Sequence, residues 1–394
     1  MKNVDVIVVG AGPAGLMFAR VVAEKGIDVT VFEKERMLAM KPCGEGISSR
    51  VLETANIPSY TLSYFVHRKI TKALIYAPNG MAREIPGEGK TLGYIIDKKA
   101  FLQVMANYAV DAGAKRKIPE SVKYVKKNES GYVVYTDKES YKTKLLVGAD
   151  GYLSVVAKQT GLEKKGERKI IPCLQYVMVN VKLHYADATE FYLGSEVAPL
   201  GYAWVFPKSE NIANVGIGVQ GKPAKAYLDK FIKDHPEMFS KSYAIEFRGA
   251  AVTIGGQLKK IVDDNVILIG EAAGQVIPLT GGGIHTSIAG GKIAGDVVIK
   301  SFDAEDLSVD FLSAYPNKYG EYWGKRIRDS FKALKVIEGL SDDDLNMLAE
   351  VLEPQDILDL ANGNNIKRVA LKLLKYPVLS LKVAKALLLS LIHI

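Results

Sequence analysis

A glycine-rich turn between a buried strand and a helix constrains the fold of this chain more than any other feature. Val4–Val9 is short, β-branched and apolar, which predicts a buried parallel strand. A helix predicted over 13–25 and a second strand at Asp28–Phe32 complete a right-handed βαβ unit. In the turn GAGPAG, Gly10 permits the tight turn, Gly12 lets the backbone approach a pyrophosphate, and Gly15 lets helix and strand pack closely.

The first turn of this helix and the end of the second strand together predict a dinucleotide site. Pro13 and Ala14 lie where free N–H groups and a partial positive charge favour phosphate. Glu33, followed by Lys34, ends the second strand, and a carboxylate there accepts from both ribose hydroxyls and disfavours a 2′-phosphate. A glycine turn without a ligand is the alternative, but the combined context favours a bound dinucleotide.

A second strand–turn–helix segment begins far along the chain. Val266–Ile269 is predicted as a buried strand and is followed by Gly270 and Glu271, whose carboxylate can hold a ribityl or ribose hydroxyl. A helix is predicted over 283–300, and bare N–H groups are expected around its start, at Gly281, Gly282, Gly283 and Ile284. These groups can bind an anionic edge, such as the N1/O2 side of a reduced flavin. A crossover with a packing turn is the alternative.

The segments between the two glycine turns alternate in hydrophobicity, which predicts antiparallel strands. They lie within 70–85, 122–147 and 170–261, with helices predicted over 99–112 and 223–233 and from about residue 310 onwards. We expect a discontinuous dinucleotide-binding domain (1–60, 95–168 and 262–305), an inserted antiparallel domain (61–94 and 169–261) and a helical region (306–394). Gly216–Gly221 also matches the glycine pattern, but without a βαβ context we interpret that match as coincidental.

Composition limits the classes of function. The 394 residues are 48% hydrophobic and 24% charged, which is typical of a globular protein and excludes disorder. A net charge of +8 allows an anionic ligand or membrane surface without requiring nucleic acid. The two cysteines, Cys43 and Cys173, indicate a reducing cytosol and predict neither a disulfide framework nor a metal site. The sequence predicts no signal peptide and no bilayer-spanning stretch of roughly 20 apolar residues.

A third motif, the strand Leu146–Gly148 followed by Ala149, Asp150 and Gly151, extends the pattern. Two glycine turns with this Asp-Gly resemble the glutathione-reductase-type FAD proteins of the aromatic-hydroxylase branch, whose type member is p-hydroxybenzoate hydroxylase. The resemblance implies FAD, an α/β (α+β overall) fold with a Rossmann domain and an inserted antiparallel sheet, and a position for Asp150 and Gly151 near the flavin pyrophosphate.

Two further segments narrow the family. Pro42-Cys43-Gly44-Glu45-Gly46 follows the second strand, and Tyr202-Ala203-Trp204-Val205-Phe206-Pro207 lies eight residues before Gly216-Ile217-Gly218. Over about residues 1–345 the chain resembles the geranylgeranyl reductase family, most closely the archaeal digeranylgeranylglycerophospholipid reductases. The resemblance implies saturation of isolated C=C bonds in geranylgeranyl chains of membrane phospholipids, with hydride from reduced flavin N5 and a proton.

The resemblance also implies roles for individual residues. Cys43, with Gly44 and Gly46, would lie near the flavin ring. The substrate cavity would be lined by Tyr202, Trp204, Phe206, Pro207, Gly216 and Gly218, and Tyr176 and Tyr192 can supply further walls. Two positions depart from the family: Glu271 replaces the usual aspartate, and Lys98 replaces a common arginine, so a pyrophosphate contact would lack the planar guanidinium fork.

The reaction also needs a proton, because an isolated alkene has no carbonyl to stabilise negative charge. Cys43, Glu45, Tyr202 or His285 can relay that proton. We predict Cys43, Tyr202 and His285 as catalytic residues and favour Cys43 for its proximity to the flavin. Simple packing is the alternative for Cys43 and His285, and for Trp204 as a core aromatic.

The last 29 residues, 366–394, carry six basic residues and no acidic one. Spacing at three, four or seven residues puts the basic side chains on one helical face, which predicts an amphipathic helix lying on anionic lipid. They are Arg368, Lys372, Lys375, Lys382 and Lys385, with Leu371, Leu374, Leu379, Val383, Leu387 and Leu391 over much of the remainder. A helix packed on its own protein is the alternative. With the amphipathic helix on lipid, we expect a cytoplasmic protein that is peripheral on the inner face of the cell membrane.

Two other functions use the same motifs. One is an FAD monooxygenase that hydroxylates an aromatic or polyprenyl-quinone ring, and the other is a flavin-bearing lipid-binding protein without turnover. The Cys43 segment and the Tyr202–Pro207 segment favour the reductase. The expected partners are a prenylated glycerophospholipid and an external electron donor, either ferredoxin or NAD(P)H.

Overall fold

The computed structural model describes residues 1–377 and 379–382. The strands in these ranges are β1 (Lys2–Val9), β2 (Val29–Phe32), β3 (Gly46–Ser48), β4 (Val66–Ile70), β5 (Lys72–Tyr76), β6 (Ala82–Pro86), β7 (Gly93–Ile96), β8 (Lys115–Lys117), β9 (Val122–Asn128), β10 (Gly131–Thr136), β11 (Ser140–Gly148), β12 (Ile170–Val179), β13 (Ala188–Tyr192), β14 (Tyr202–Pro207), β15 (Ile212–Gly218), β16 (Tyr243–Thr253), β17 (Val262–Asp263) and β18 (Val266–Leu268). The α-helices are α1 (Pro13–Ala23), α2 (Val51–Thr54), α3 (Lys98–Asp111), α4 (Val155–Gln159), α5 (Ala224–Asp234), α6 (Pro236–Phe239), α7 (Ile284–Asp303), α8 (Val309–Leu312), α9 (Ala314–Tyr319), α10 (Lys325–Glu338), α11 (Asp342–Val351), α12 (Pro354–Asn362) and α13 (Ile366–Leu373).

The first sheet confirms the predicted βαβ unit. Strand β1 lies between β2 and β11 and is parallel to both, while β18 continues the parallel sheet beyond β11. Helices α1 and α7 pack closely, since a Cβ at Gly291 would overlap the main chain of Ala14. The late strand and its helix therefore belong to the same layer as the N-terminal turn, as the sequence predicts.

The second sheet has the order β16-β12-β15-β14-β13-β5-β6 within the described residues. Its pairs are antiparallel, as predicted, except that β13 runs parallel to β5. Gly216 and Gly218 lie in β15 between two antiparallel neighbours. The glycine pattern there is therefore not a nucleotide-binding turn, because its first two glycines lie within an antiparallel strand and α5 begins only after the last one.

A small sheet, β3-β7-β4, carries the Cys43 segment between the two large sheets. Gly46 begins β3 and pairs with Ile95 of β7, and the main-chain oxygen of Glu45 accepts from Ile96 N at 3.0 Å. The loop before β3 is thereby fixed at a position facing β14.

In the C-terminal helices, three side chains of the predicted basic face pair with acidic groups of this chain, and membrane contact through that face stays a prediction. Arg368 and Lys372 of α13 pair with buried Asp356 at 2.7 Å, and Lys382 pairs with buried Asp344. The reason is that α12 presents Asp356 and Asp359 to α13 while Asp344 of α11 meets Lys382, a long-range arrangement that helical spacing cannot reveal. Leu371, Leu374 and Leu381 are instead exposed, by 64%, 59% and 73%. Val383, Lys385, Leu387 and Leu391 lie outside the described residues.

Candidate active site

The first glycine turn ends β1 and leaves the start of α1 open. Gly10 has φ +106°, and a Cβ there would overlap the carbonyl oxygen of Ala149 at the end of β11, so only glycine fits. A Cβ at Gly15 would overlap the Gly10 carbonyl. Gly12, by contrast, has no atom within 4 Å of the Cβ position, and no side chain caps α1. The N–H groups beside Pro13 and Ala14 are therefore available to an anionic group.

The acidic end of β2 lies beside this turn. Glu33 Oε2 accepts from Ala11 N and its Oε1 accepts from Glu35 N, both at 3.0 Å, while the Lys34 side chain is exposed. A cavity of about 650 Å³ opens where β2 and β8 end, lined by Arg36, Met37, Leu38, Asp97, Lys99, Ala100, Gln103, Arg116 and Ile118. The carboxylate and the cavity lie at the carboxyl ends of parallel strands, where dinucleotides bind in such sheets.

The Asp150-Gly151 segment touches the turn through its main chain. The Asp150 Cα lies 3.0 Å from the position a Gly10 Cβ would take. Its carboxylate, however, accepts from Ser154 Oγ and Val155 N at 2.6 Å and so holds the first turn of α4. Burial raises the pKa of Asp150 despite these hydrogen bonds. A direct carboxylate contact with a pyrophosphate thus stays a prediction.

The late strand brings Gly270 and Glu271 against the same region. A Cβ at Gly270 would lie 2.7 Å from that of Ala14. The Glu271 carboxylate pairs with Lys41 and accepts from Thr253 N at 3.1 Å, and a Cβ at Gly151 would lie 3.7 Å from its Oε2. The extra methylene of glutamate therefore lets this side chain reach across to β16.

The triple glycine forms the start of α7. Gly281 N donates to Ile277 O at 2.8 Å, Gly282 N donates to Thr280 Oγ1 at 3.3 Å, and no side chain caps the helix at Gly283, just before Ile284. The Tyr202 hydroxyl of β14 donates to Thr280 O at 2.5 Å. The second sheet thus holds the glycine loop directly.

One face of β14 forms an aromatic wall, which we define as Tyr202, Trp204 and Phe206. A Cβ at Gly216 would overlap the Trp204 indole, so β15 must carry glycine where the ring crosses it. Gln175 Oε1 accepts from Trp204 Nε1 at 3.3 Å. The facing loop fits the wall equally closely, because a Cβ at Gly44 would lie 2.7 Å from the Phe206 ring. The YxWxFP and GxG motifs are therefore two halves of one packing arrangement.

Two sulfur atoms lie near this wall. Cys43 Sγ accepts from Glu45 N at 3.3 Å, and a Cβ at Gly218 would lie 3.3 Å from Cys173 Sγ. Burial, and then Cys173 and Cys43, raise the pKa of Tyr202. Burial raises the pKa of the Cys173 thiol to about 12. Both Tyr202 and Cys173 therefore keep their protons at neutral pH.

Lys98 lies beneath the Cys43 loop and is almost fully buried. Its Nζ donates to Lys41 O at 2.9 Å, and burial lowers the pKa of its ammonium. This position is adjacent to Cys43, Glu45 and Glu271, and contact with a pyrophosphate stays a prediction.

The structure does not bring Tyr176, Tyr192 and Pro207 to the aromatic wall. Side chains alternate along a strand, so Pro207 is in register with Ala203 and Val205 on the opposite face of β14. Tyr176 donates to Asp229 at 2.9 Å, and Tyr192 stacks on Tyr76 at 4.4 Å in the cluster under α5. The prediction that both tyrosines line the same wall as Trp204 therefore fails on strand register.

His285 also lies apart from the sulfur atoms. Its Nε2 is 2.7 Å from Thr54 Oγ1, and its ring packs edge-on against Trp323. Burial, with Arg326 and Arg50 nearby, lowers the pKa of His285 to about 4. At neutral pH this imidazole has no proton to donate as a cation, and its catalytic role stays a prediction.

Sequence reasoning did not single out Lys41, Lys208, Asn214 and Gln175. Lys208 follows Phe206-Pro207 directly, and Asn214 precedes Gly216, so their closeness to the motifs is a signal. Their partners are distant in sequence. The described residues contain no group of three or more metal-ligating side chains, and their helices are too short or too polar to cross a bilayer.

Together, the open helix terminus, the Glu33 end and the glycine loop facing an aromatic wall define a flavin-binding oxidoreductase of the glutathione-reductase type. Residues 4–75 match the family model for pyridine nucleotide-disulphide oxidoreductase, and residues 169–252 match that for the geranylgeranyl reductase catalytic domain. The chain belongs to the geranylgeranyl reductase family, and within it to the digeranylgeranylglycerophospholipid reductases, which confirms the resemblance in the motifs.

Individual relatives support this membership. A digeranylgeranylglycerophospholipid reductase of Methanopyrus kandleri is 36% identical over 400 positions, covering 97% of this chain and 99% of the relative. A crystal structure of a geranylgeranyl bacteriochlorophyll reductase-like protein from Thermoplasma acidophilum superposes with a TM-score of 0.87 at 29% identity, covering 98% and 100% of the two chains. A halogenase crystallised with FAD shares the fold alone, at 15% identity and a TM-score of 0.71, covering 97% of this chain and 85% of the halogenase.

Proposed function

We propose that this chain is an FAD-dependent reductase that saturates isolated C=C bonds in geranylgeranyl chains of archaeal-type membrane phospholipids. The observation that carries this proposal is the aromatic wall, interlocked with the Cys43 loop at one end and bound to the glycine loop of α7 at the other. Such a surface suits an apolar chain held beside a flavin. The names of the relatives support this substrate class.

FAD fits the residues that the chain offers. The open space at Gly12 and the uncapped start of α1 suit the pyrophosphate, and the cavity where β2 and β8 end suits the adenosine portion. Glu33 would hold the ribose, Glu271 a ribityl hydroxyl, and the Gly281–Gly283 loop the ring edge. When bound, FAD supplies hydride to one alkene carbon.

The side chains around it would orient the chain, exclude water and supply a proton. Tyr202, Trp204 and Phe206 would form the apolar wall. Cys43 is the proton source that we propose, since its sulfur is held by a main-chain N–H beside that wall. The high pKa of Tyr202 makes its phenol a hydrogen-bond donor to Thr280 rather than a base.

Membrane contact is part of the proposal, and its chemistry follows from the tail. Arg368, Lys372 and Lys382 pair with this chain's own aspartates, and α13 and the following segment present Leu371, Leu374 and Leu381 outwards beside the exposed Lys367 and Lys375. We propose that these leucines rest on the membrane that holds the substrate. We also propose the division into a discontinuous dinucleotide-binding domain, an inserted antiparallel domain and a helical region. The proposed electron donor is external, either ferredoxin or NAD(P)H.

The decisive experiment is anaerobic. The FAD-loaded protein is reduced with dithionite and mixed with a digeranylgeranylglycerophospholipid, and flavin absorbance and product mass are followed together. Flavin reoxidation with a gain of two hydrogens per saturated bond supports the reductase. Stable reduced flavin with unchanged lipid contradicts it, and a product heavier by one oxygen atom after air is admitted would indicate a monooxygenase instead.

A further inference from the structure

The conformation of Glu45 fixes the sulfur of its neighbour Cys43. Glu45 has φ +66°, a left-handed conformation that costs energy for any residue other than glycine. In this conformation its N–H donates to Cys43 Sγ at 3.3 Å while its carbonyl accepts from Ile96 N at 3.0 Å. The main chain of Glu45, in this strained conformation, therefore holds Cys43 through its N–H and β7 through its carbonyl.

The side chain of Glu45 reaches across to the second sheet. Its carboxylate pairs with Lys208 and accepts from Asn214 Nδ2 at 3.0 Å, and the Glu45 and Lys208 side chains are only 11% and 17% exposed. Asn214 also donates to the Gly44 carbonyl at 3.1 Å. Lys208 and Asn214 flank the turn between β14 and β15, so these contacts join the Cys43 loop to the strand that carries the aromatic wall.

The Cys43 loop and the aromatic wall are joined by steric contacts as well as by these polar ones. Cβ atoms at Gly44 and Gly46 would lie 2.7 Å and 3.4 Å from the Phe206 ring, so the loop packs directly on the Phe206 end of the wall. A buried carboxylate without its cation must regain solvent, which moves the loop, or take up a proton, which removes the charge that holds it to Lys208 and weakens the joint.

We propose that Glu45, Lys208 and Asn214 form a latch that positions Cys43 against the aromatic wall, with Glu45 as a positioning residue for the reaction and Lys208 as the cation that keeps the latch closed. This inference rests on the proposed function for its catalytic consequence. Its structural consequence is independent: releasing the latch exposes the Cys43 thiol and changes the surroundings of the flavin.

The test compares Lys208→Met, Lys208→Arg and a matched control, Glu210→Gln, in FAD-loaded full-length protein. Glu210 is 78% exposed and pairs with Arg68 beside the same turn without touching Glu45. Three properties are measured. The first is the rate of Cys43 alkylation by iodoacetamide, with the modified cysteine located by peptide mass. The second is the visible absorbance of the flavin, and the third is kcat and KM for the lipid. Where Lys208→Met does not fold, Glu45→Gln carries the same expectation, because it keeps the shape and removes the charge.

Lys208→Met is expected to speed alkylation of Cys43 several-fold and to shift the flavin absorbance. It should also lower kcat by about 100-fold with little change in KM, since a small misplacement of a catalytic group is costly. Lys208→Arg should restore most of these values, and Glu210→Gln should match the wild type. Wild-type alkylation and absorbance in Lys208→Met would overturn the latch. A wild-type protein that never reduces the lipid would overturn the proposed function, while alkylation and absorbance would still test the latch.

Discussion

The Trp204 indole crosses β15 at Gly216, where no other residue leaves room for it. This pairing of a large ring with a bare backbone lets an aromatic side chain lie low over the sheet instead of standing above it. The Gln175 amide oxygen accepts from the indole N–H and holds the ring in place.

Replacing Gly216 with alanine should displace Trp204. We expect a loss of stability of about 1–3 kcal/mol from overpacking, and a fall in lipid turnover while flavin remains bound. Thermal unfolding and product mass measure the two effects. Gly320→Ala is the control, because no atom lies within 4 Å of its Cβ position, and it should unfold no earlier than the wild type. Equal behaviour of both variants would refute the steric argument.

The two glycines at the start of the chain should fail in different ways. Gly12→Val places a side chain in open space, so the protein should purify without flavin and yet melt at the temperature of the flavin-free wild type. Gly10→Ala should instead lose stability, by at least about 1–3 kcal/mol, because of its positive φ and the Ala149 carbonyl. Flavin absorbance and calorimetry separate the outcomes, and a yellow Gly12→Val protein would contradict the proposed pyrophosphate site.

His285 should contribute to a loss of stability in mild acid. Burial lowers its pKa to about 4 in the folded protein, whereas an unfolded histidine titrates near about 6.5. Below that pH the unfolded chain takes up a proton that the folded chain does not, so its contribution is complete above pH 6.5 and is lost as the pH falls towards 4. His285→Gln should therefore show a smaller fall in melting temperature between pH 7.5 and pH 5. Equal falls in the two proteins would contradict this assignment.

Membrane association should depend on leucine and not on charge. The double variant Leu371→Ser, Leu374→Ser should bind vesicles of phosphatidylcholine and anionic phosphatidylglycerol less than the wild type in a flotation assay, because both side chains are exposed. Lys375→Gln serves as the control and should bind normally. Since the binding is apolar, raising the salt concentration should have little effect. Strong salt sensitivity with normal binding of the leucine variant would instead favour the basic face predicted from spacing.

The sequence predicts well those features that short segments determine. The turn Gly10–Gly15 and the strands β1 and β2 each combine a local pattern with a physical requirement, and the structure has them as predicted. Strand register was harder to predict. Tyr176 is in line with Val205 across β15, so it lies on the face opposite Trp204, and the pairing of distant strands leaves no periodic pattern in the sequence around Tyr176.

The basic tail shows the same difficulty for charge. Arg368 and Lys372 alternate with leucines in a way that fits an interfacial helix, but their partners, Asp356 and Asp359, lie on a helix whose position no spacing within α13 can reveal. In the sequence, Glu45 is one acidic residue between two glycines, and nothing there predicts its contacts. Its importance emerges when Lys208 and Asn214, far along the chain, are seen to meet it.

The parallel pairing of β13 with β5 has a consequence for synthesis on the ribosome. The β5–β6 hairpin emerges early, but the partner that covers the edge of β5 is made only after the whole segment from Ala77 to Asp187. During that interval a nascent chain carries an uncovered strand edge, which is open to unwanted association. We therefore expect chains truncated before residue 188 to aggregate, and newly made protein to depend on chaperones until β13 has been translated.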